Sequence, residues 1–102
     1  LHGDLYAHNI LVSNMGESLL GDFGAASFYP DSIPSIARSL ECLEVRAFGC
    51  LLEDLLDRCA LDDSDSQTEL RARLWCLQQD CINPVPSTRP PFTKICNVLE
   101  NV

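Results

Sequence analysis

Four side chains near the start of the sequence have the types and the spacing to do chemistry: His2, Asp4, Asn9 and Asp22. Carboxylates and a primary amide are oxygen donors of the kind that suits a small, hard cation, and a carboxylate can also take a proton from a hydroxyl. An imidazole can move a proton or hold a loop by hydrogen bonds, and for His2 the second use is the expected one. Each aspartate also has a plainer reading as a solvated turn residue. The chemistry therefore depends on whether local structure gathers these groups.

A hairpin would do so. Ile10 to Ser13 and Ser18 to Gly21 read as two short strands around Asn14-Met15-Gly16-Glu17, where Asn and Gly can supply the positive φ of a tight turn. Its open end would bring Asn9, just before the first strand, close to Asp22, just after the second. Ala25 to Ser39 holds Pro30, Pro34 and several serines without clear periodicity and is expected to be irregular.

From about Leu43 to Cys59 the apolar residues Val45, Phe48, Cys50, Leu51, Leu52, Leu55 and Leu56 go most of the way round a helix, which predicts a helix buried on several sides. An acidic loop, Asp62-Asp63-Ser64-Asp65, follows. Ser66-Gln67-Thr68-Glu69 fits a capping box, and the helix it opens, with Leu70, Leu74, Trp75 and Leu77, should run to about Gln79. The proline-rich stretch Asn83 to Pro91 ends it, and Phe92, Ile95, Cys96 and Leu99 mark a last amphipathic helix. No internal repeat or low-complexity tract interrupts this plan of one hairpin and three helices.

Composition limits the function classes. A chain of 102 residues with 46 % apolar content is at most one small domain with a modest core. The net charge of −8 and the scattered basic residues offer no cationic patch, so neither nucleic acid nor an anionic membrane is an expected partner. There is no signal-peptide pattern and no apolar run long enough to span a bilayer, and the expected location is cytoplasmic. The six cysteines show no C-x-x-C spacing and sit mostly in helix-like apolar stretches, which predicts small buried hydrophobes in a reducing compartment and no cysteine metal site.

One set of motifs resembles a known family. His2-Gly3-Asp4-Leu5, with Asn9 five residues after the aspartate and Asp22-Phe23-Gly24 thirteen residues further on, is similar to the catalytic loop and metal-binding triplet of the protein-kinase superfamily. Glu44-Val45-Arg46-Ala47-Phe48-Gly49-Cys50-Leu51-Leu52 resembles the D-V-W-S-F-G-x-L-L stretch that begins the central helix of the C-terminal lobe, and Arg89-Pro90-Pro91-Phe92 resembles the R-P-T-F near its end. The resemblance implies a mainly α fold with one small β-hairpin, the incomplete C-terminal lobe of a protein-kinase-like domain. On that pattern 1–24 would hold the catalytic loop, hairpin and D-F-G, 25–42 a short activation segment, and 43–102 a helical subdomain.

The family's roles carry over residue by residue. Asp4 would orient the acceptor hydroxyl and accept its proton, while Asn9 and Asp22 would hold Mg²⁺ against the phosphates of ATP. His2, Phe23, Gly24, Glu44 and Arg89 would be structural supports. His8 could sit near substrate or simply face solvent. The implied partners are ATP-Mg and a protein substrate bearing a Ser, Thr or Tyr hydroxyl.

Departures from the pattern qualify this. Gly3 stands where many regulated protein kinases carry an arginine that pairs with a phosphate on the activation segment, so switching by phosphorylation there is not expected. Tyr6 stands in place of the lysine usual in serine/threonine kinases. Glu44 replaces an aspartate and adds a methylene, which should shift its hydrogen bonds to the loop backbone. No A-P-E closes the activation segment; Ser39-Leu40-Glu41 is the nearest candidate, and Glu41 the candidate partner of Arg89. Lys94 is the only lysine, and no G-x-G-x-x-G occurs, so the nucleotide-covering N-terminal lobe would have to be supplied in cis or in trans. Two other readings stand beside an active protein kinase: a pseudokinase or scaffold lobe, and a small-molecule kinase of the aminoglycoside-phosphotransferase type, which shares H-G-D-L.

Overall fold

The structure, a computed structural model, describes residues 1–30, 32–59 and 65–102. After an extended start, a single 3₁₀ turn at Ala7–Asn9 leads into strand β1 (Ile10–Val12), which pairs antiparallel with β2 (Ser18–Leu20). Three helices follow: α1 (Pro34–Arg58), α2 (Asp65–Cys81) and α3 (Phe92–Glu100), with a 3₁₀ turn at Pro86–Thr88 between the last two. No helix among the described residues is long and apolar enough to cross a membrane.

The hairpin register opposes Ile10 to Leu20, Leu11 to Leu19 and Val12 to Ser18, each strand ending one residue earlier than the sequence suggested. Gly16 alone in the turn takes a positive φ, +81°, with open space where a Cβ would lie. Ser13 closes the turn as well: its hydroxyl accepts the N–H groups of Met15 and Glu17 at 3.2 and 3.1 Å. Its backbone bonds across the same turn, the N–H donating to the Glu17 carbonyl at 2.8 Å and the carbonyl accepting the Gly16 N–H at 3.0 Å.

Helix α1 begins nine residues before the expected Leu43, so the segment read as irregular through Ser39, and as activation segment through Cys42, is helical from Pro34 onward. Pro34 occupies the first helical position, where its fixed φ fits and its missing N–H would have had no intrahelical partner, so it is compatible with a helix start inside the stretch expected to be irregular. Helix α2 runs to Cys81, two residues past the expected end. The acidic stretch Asp62 to Ser64 lies outside the described residues, and Asp65 already belongs to α2.

The core is small and sits between the helices. Val45, Leu52 and Leu56 of α1 meet Leu77 and Cys81 of α2 and Ile95 of α3, with Phe48, Leu74, Phe92 and Val98 packed at its edge. The rings of Phe48 and Phe92 meet edge to face, 6.2 Å apart. Gly49 sets how closely α1 approaches α2: a Cβ there would lie 2.7 Å from Ile82 and 2.8 Å from the Cys81 side chain.

Burial is more one-sided than the periodicity implied. Cys50 and Leu55 on α1, Trp75 on α2, and Cys96 and Leu99 on α3 are exposed; on α3 Ile95 is buried, with Phe92 and Val98 half-buried on the same stripe. Of the six cysteines only Cys42 and Cys81 are buried, and all six are free thiols, which corrects the expectation that most would be core residues. The helix-like apolar setting was there, but three helices cover only one face of each other.

Candidate active site

The extended segment that opens the chain lies against α1 through one side chain. Glu44, buried within α1, directs both carboxylate oxygens at the loop: Oε1 accepts the His2 N–H and Oε2 the Gly3 N–H, each at 3.2 Å. Charge-assisted bonds of this kind are stronger than neutral ones. The extra methylene of glutamate therefore does not keep it from gripping two consecutive amides.

Gly21 joins the other end. Its N–H donates to the Asn9 carbonyl at 2.7 Å, continuing the hairpin ladder to the residue before β1, and its carbonyl accepts the His2 Nε2–H at 2.8 Å. The remaining ring nitrogen of His2, Nδ1, accepts the Asp4 N–H at 3.2 Å. These partners fix the neutral tautomer with the proton on Nε2. His2 is thus a buried strut between the loop and the hairpin, with the Phe23 ring edge-on to it at 4.9 Å.

Asn9 completes the loop. Its side-chain amide nitrogen donates to the Asp4 carbonyl at 2.8 Å and to the Asp4 Oδ2 at 3.2 Å. Both amide hydrogens are thereby directed at Asp4, and the Asn9 Oδ1 accepts no hydrogen bond among the described residues. Asp22 follows Gly21 directly and takes φ +53°, in the left-handed region that aspartate tolerates better than most residues. Its Oδ1 faces the Gly24 N–H at 3.4 Å, a long contact that leaves the carboxylate largely uncommitted.

His2, Asp4 and Asn9 are therefore held in one hydrogen-bonded unit, and Asp22 is attached to it through Gly21. Two exposed carboxylates and an amide oxygen are the donors present. Among the described residues no group of three or more His, Cys, Asp or Glu is placed to hold a metal ion. By donor type alone, carboxylate and amide oxygens are compatible with a hard cation.

His8 stands outside this unit. Its ring tilts against that of Tyr6 at 5.4 Å, and both line a cavity of about 560 Å³ between the loop and the second half of α1, with Cys50, Asp54 and Leu55 on the opposite wall.

Arg89 is not part of the site and does not pair with Glu41. Its guanidinium donates to two carbonyls, Asn83 at 2.9 Å and Cys42 at 3.0 Å. Glu41 instead accepts Arg38 Nη1 at 2.8 Å and the Phe92 N–H at 3.1 Å, capping the start of α3, while Arg38 Nη2 donates to the Arg89 carbonyl. Arg38 and Glu41 together do what a direct Glu41–Arg89 pair would have done. The irregular reading of this segment hid Arg38, which lies one helical turn before Glu41.

Tyr29, further along the post-triplet segment, is half-buried. Burial first, then the charges of Glu41, Glu44 and Cys42, push its phenol above the usual value. Ala25, two residues after Phe23, was also missed by sequence reading: its carbonyl oxygen would lie 2.5 Å from a Cβ at Gly3.

No protein-family model matches the chain. Among curated proteins it is similar to cyclin-dependent kinase 12 of Drosophila melanogaster, with 26 % identity over 115 aligned positions. The alignment takes in 93 % of this chain and 10 % of that protein, so the chain spans about a tenth of the relative's length. This weak and partial likeness points to a kinase relationship.

Proposed function

We propose that this chain is the C-terminal-lobe portion of a cytoplasmic protein kinase that transfers the γ-phosphate of ATP to a Ser, Thr or Tyr hydroxyl of a protein. The observation that carries the reading is the grip of Glu44 on the His2 and Gly3 amides. It ties a helix carrying one motif to a loop carrying another, as a shared phosphoryl-transfer site needs and as two chance matches would not. The weak similarity to a protein kinase is consistent with it.

In this reading Asp4 orients the acceptor hydroxyl and takes its proton through the carboxylate oxygen that Asn9 leaves free. Asn9 and Asp22 would hold Mg²⁺, which supplies charge compensation to the phosphates. His2, Phe23 and Gly24 keep the loop and the triplet together. An N-terminal lobe, in the same polypeptide or from a partner, covers the nucleotide. Exposed Leu11, Val12 and Leu19 on a hairpin this short are consistent with such a cover.

The departures at Gly3 and at the missing A-P-E favour a second reading, a pseudokinase or scaffold lobe. One experiment separates the two. Transfer of labelled phosphate from ATP-Mg to casein is measured with the longest polypeptide that carries this chain, for wild type beside Asp22→Ala. Incorporation by wild type that is lost in Asp22→Ala supports the kinase. Equal incorporation in both refutes the assignment of Asp22, and none in either, with the protein folded, favours the scaffold.

A further inference from the structure

The residues that follow Asp22-Phe23-Gly24 turn back onto the loop. The Ala26 N–H bonds to the Phe23 carbonyl at 3.1 Å, and the Ser27 N–H bonds to the Leu1 carbonyl at 3.0 Å. Between these two contacts the chain passes directly over Gly3. Gly3 has φ +83°, a conformation that other residues rarely adopt, and a Cβ there would lie 2.5 Å from the Ala25 oxygen and 3.2 Å from its carbonyl carbon. Two independent features thus require glycine: the backbone conformation and the absence of space. The obstacle is a backbone carbonyl, which cannot swing aside as a side-chain tip could.

Among the described residues no side-chain ion pair joins the segment to the loop across this seam, and Leu1 and Ser27 bond in both directions, the Leu1 nitrogen donating to the Ser27 carbonyl at 3.1 Å. Beneath the seam the Glu44 carboxylate already holds the Gly3 N–H. Accordingly, we infer that Gly3 is a positioning residue: its missing side chain lets residues 25–27 lie on the loop that carries Asp4, keeping Asp22 and Asp4 in one assembly without any modification of the segment. The inference rests on the kinase reading for its effect on transfer, while the packing itself does not. It makes an unusual demand. Introducing the arginine that many regulated kinases carry at this position should weaken the site, because the guanidinium's stem has nowhere to go.

The test uses the longest polypeptide that carries the chain, with Gly3→Ala and Gly3→Arg beside Gly16→Ala. Gly16 also has a positive φ, +81°, but nothing within 4 Å of a Cβ, so it reports backbone strain without lost packing. Amide hydrogen exchange at Ser27 should be about tenfold or more faster in both Gly3 variants and unchanged in Gly16→Ala, with helix α1 still protected. For phosphate transfer to casein, both Gly3 variants should lower kcat by about tenfold to a hundredfold while the KM for ATP-Mg stays within about threefold, since misplacement costs chemistry more than binding.

Unchanged exchange at Ser27, or a rise in transfer with Gly3→Arg, would overturn the inference. Absence of transfer in the wild type would count against the kinase reading alone, since the exchange result still decides the packing. Should the Gly3 variants fail to fold, Ser27→Pro removes the N–H bonded to Leu1 without touching Gly3. Faster exchange at Ala26, whose N–H bonds to the Phe23 carbonyl, would then support the seam, and wild-type exchange there would sink it.

Discussion

Helices α1, α2 and α3 share a small apolar core, whereas residues 1–30 have almost none. In the helical part Val45, Leu52, Leu56, Leu77, Cys81 and Ile95 bury one another. In the loop and hairpin part Leu11, Val12, Leu19 and Phe23 are exposed, and the structure is held by hydrogen bonds that converge on Glu44 and Gly21. Packing is spread over many atoms and fails as a unit, while a polar clamp concentrates its effect in one or two groups. The residues with chemical potential lie in the clamped part. Geometry there can be disturbed without unfolding the helices.

The sharpest break in this comparison should come from the core. Ile95 is 1 % exposed in a cluster that draws residues from all three helices, so Ile95→Ala should cost about 2–5 kcal/mol, a large share of what a small domain possesses. Urea unfolding followed by circular dichroism should show a lower midpoint, and amide exchange should rise in all three helices together. A loss confined to α3 would mean that the helices are not one cooperative unit.

Glu44→Gln should have a smaller and more local effect. The amide can accept only one of the two N–H bonds through its oxygen, and its NH₂ would face an N–H donor. Loss of a hydrogen bond to a charged group is worth about 1.5–3 kcal/mol. Exchange at the His2 and Gly3 amides should therefore accelerate, while that at Leu52 and Ile95 stays near wild type. Equal acceleration in both places would show that the clamp and the core are not separable.

How much of this was legible in the sequence differed between the same two parts. The spacing of Asp4, Asn9 and Asp22 pointed to the loop and hairpin, because motifs built on short-range geometry appear as short-range spacing. Glu44 could be named only through the motif resemblance, since it lies well inside α1 and not at its start. Gly21 and the Ala25 carbonyl could not, since each acts through a backbone group that any residue possesses, and Arg38 and Ser13 could not because the partners of their side chains are set by the fold. The start of α1 was misplaced because Pro34 signals both the end of one helix and the first turn of another. Exposure of Cys50, Leu55 and Trp75 was missed because periodicity shows which faces are apolar and not whether anything covers them.

The cysteines give the finest test of that last point, since they sample both faces of the helices. Cys50, Cys59, Cys76 and Cys96 are exposed, and iodoacetamide under native conditions should label them while sparing Cys42 and Cys81, read out by peptide mass spectrometry. Cys81 should resist even in alkali. Burial, and secondarily the Asp80 charge, push its thiol from the ordinary 9.0 up to about 11, and only the thiolate reacts. The same shift links to stability with a definite sign. Below pH 9 the thiol is protonated in both states, so its favourable contribution is present in full. Between pH 9 and about 11 the unfolded chain releases this proton and the folded chain retains it, which draws the equilibrium toward unfolding. Urea midpoints should fall across that window, and the part of the fall due to this group should vanish in Cys81→Ala once the variant's own lower baseline is subtracted. An undiminished fall in Cys81→Ala would place the alkaline sensitivity elsewhere, and early labelling of Cys81 would show that α1 and α2 separate at Gly49 more readily than their close contact implies.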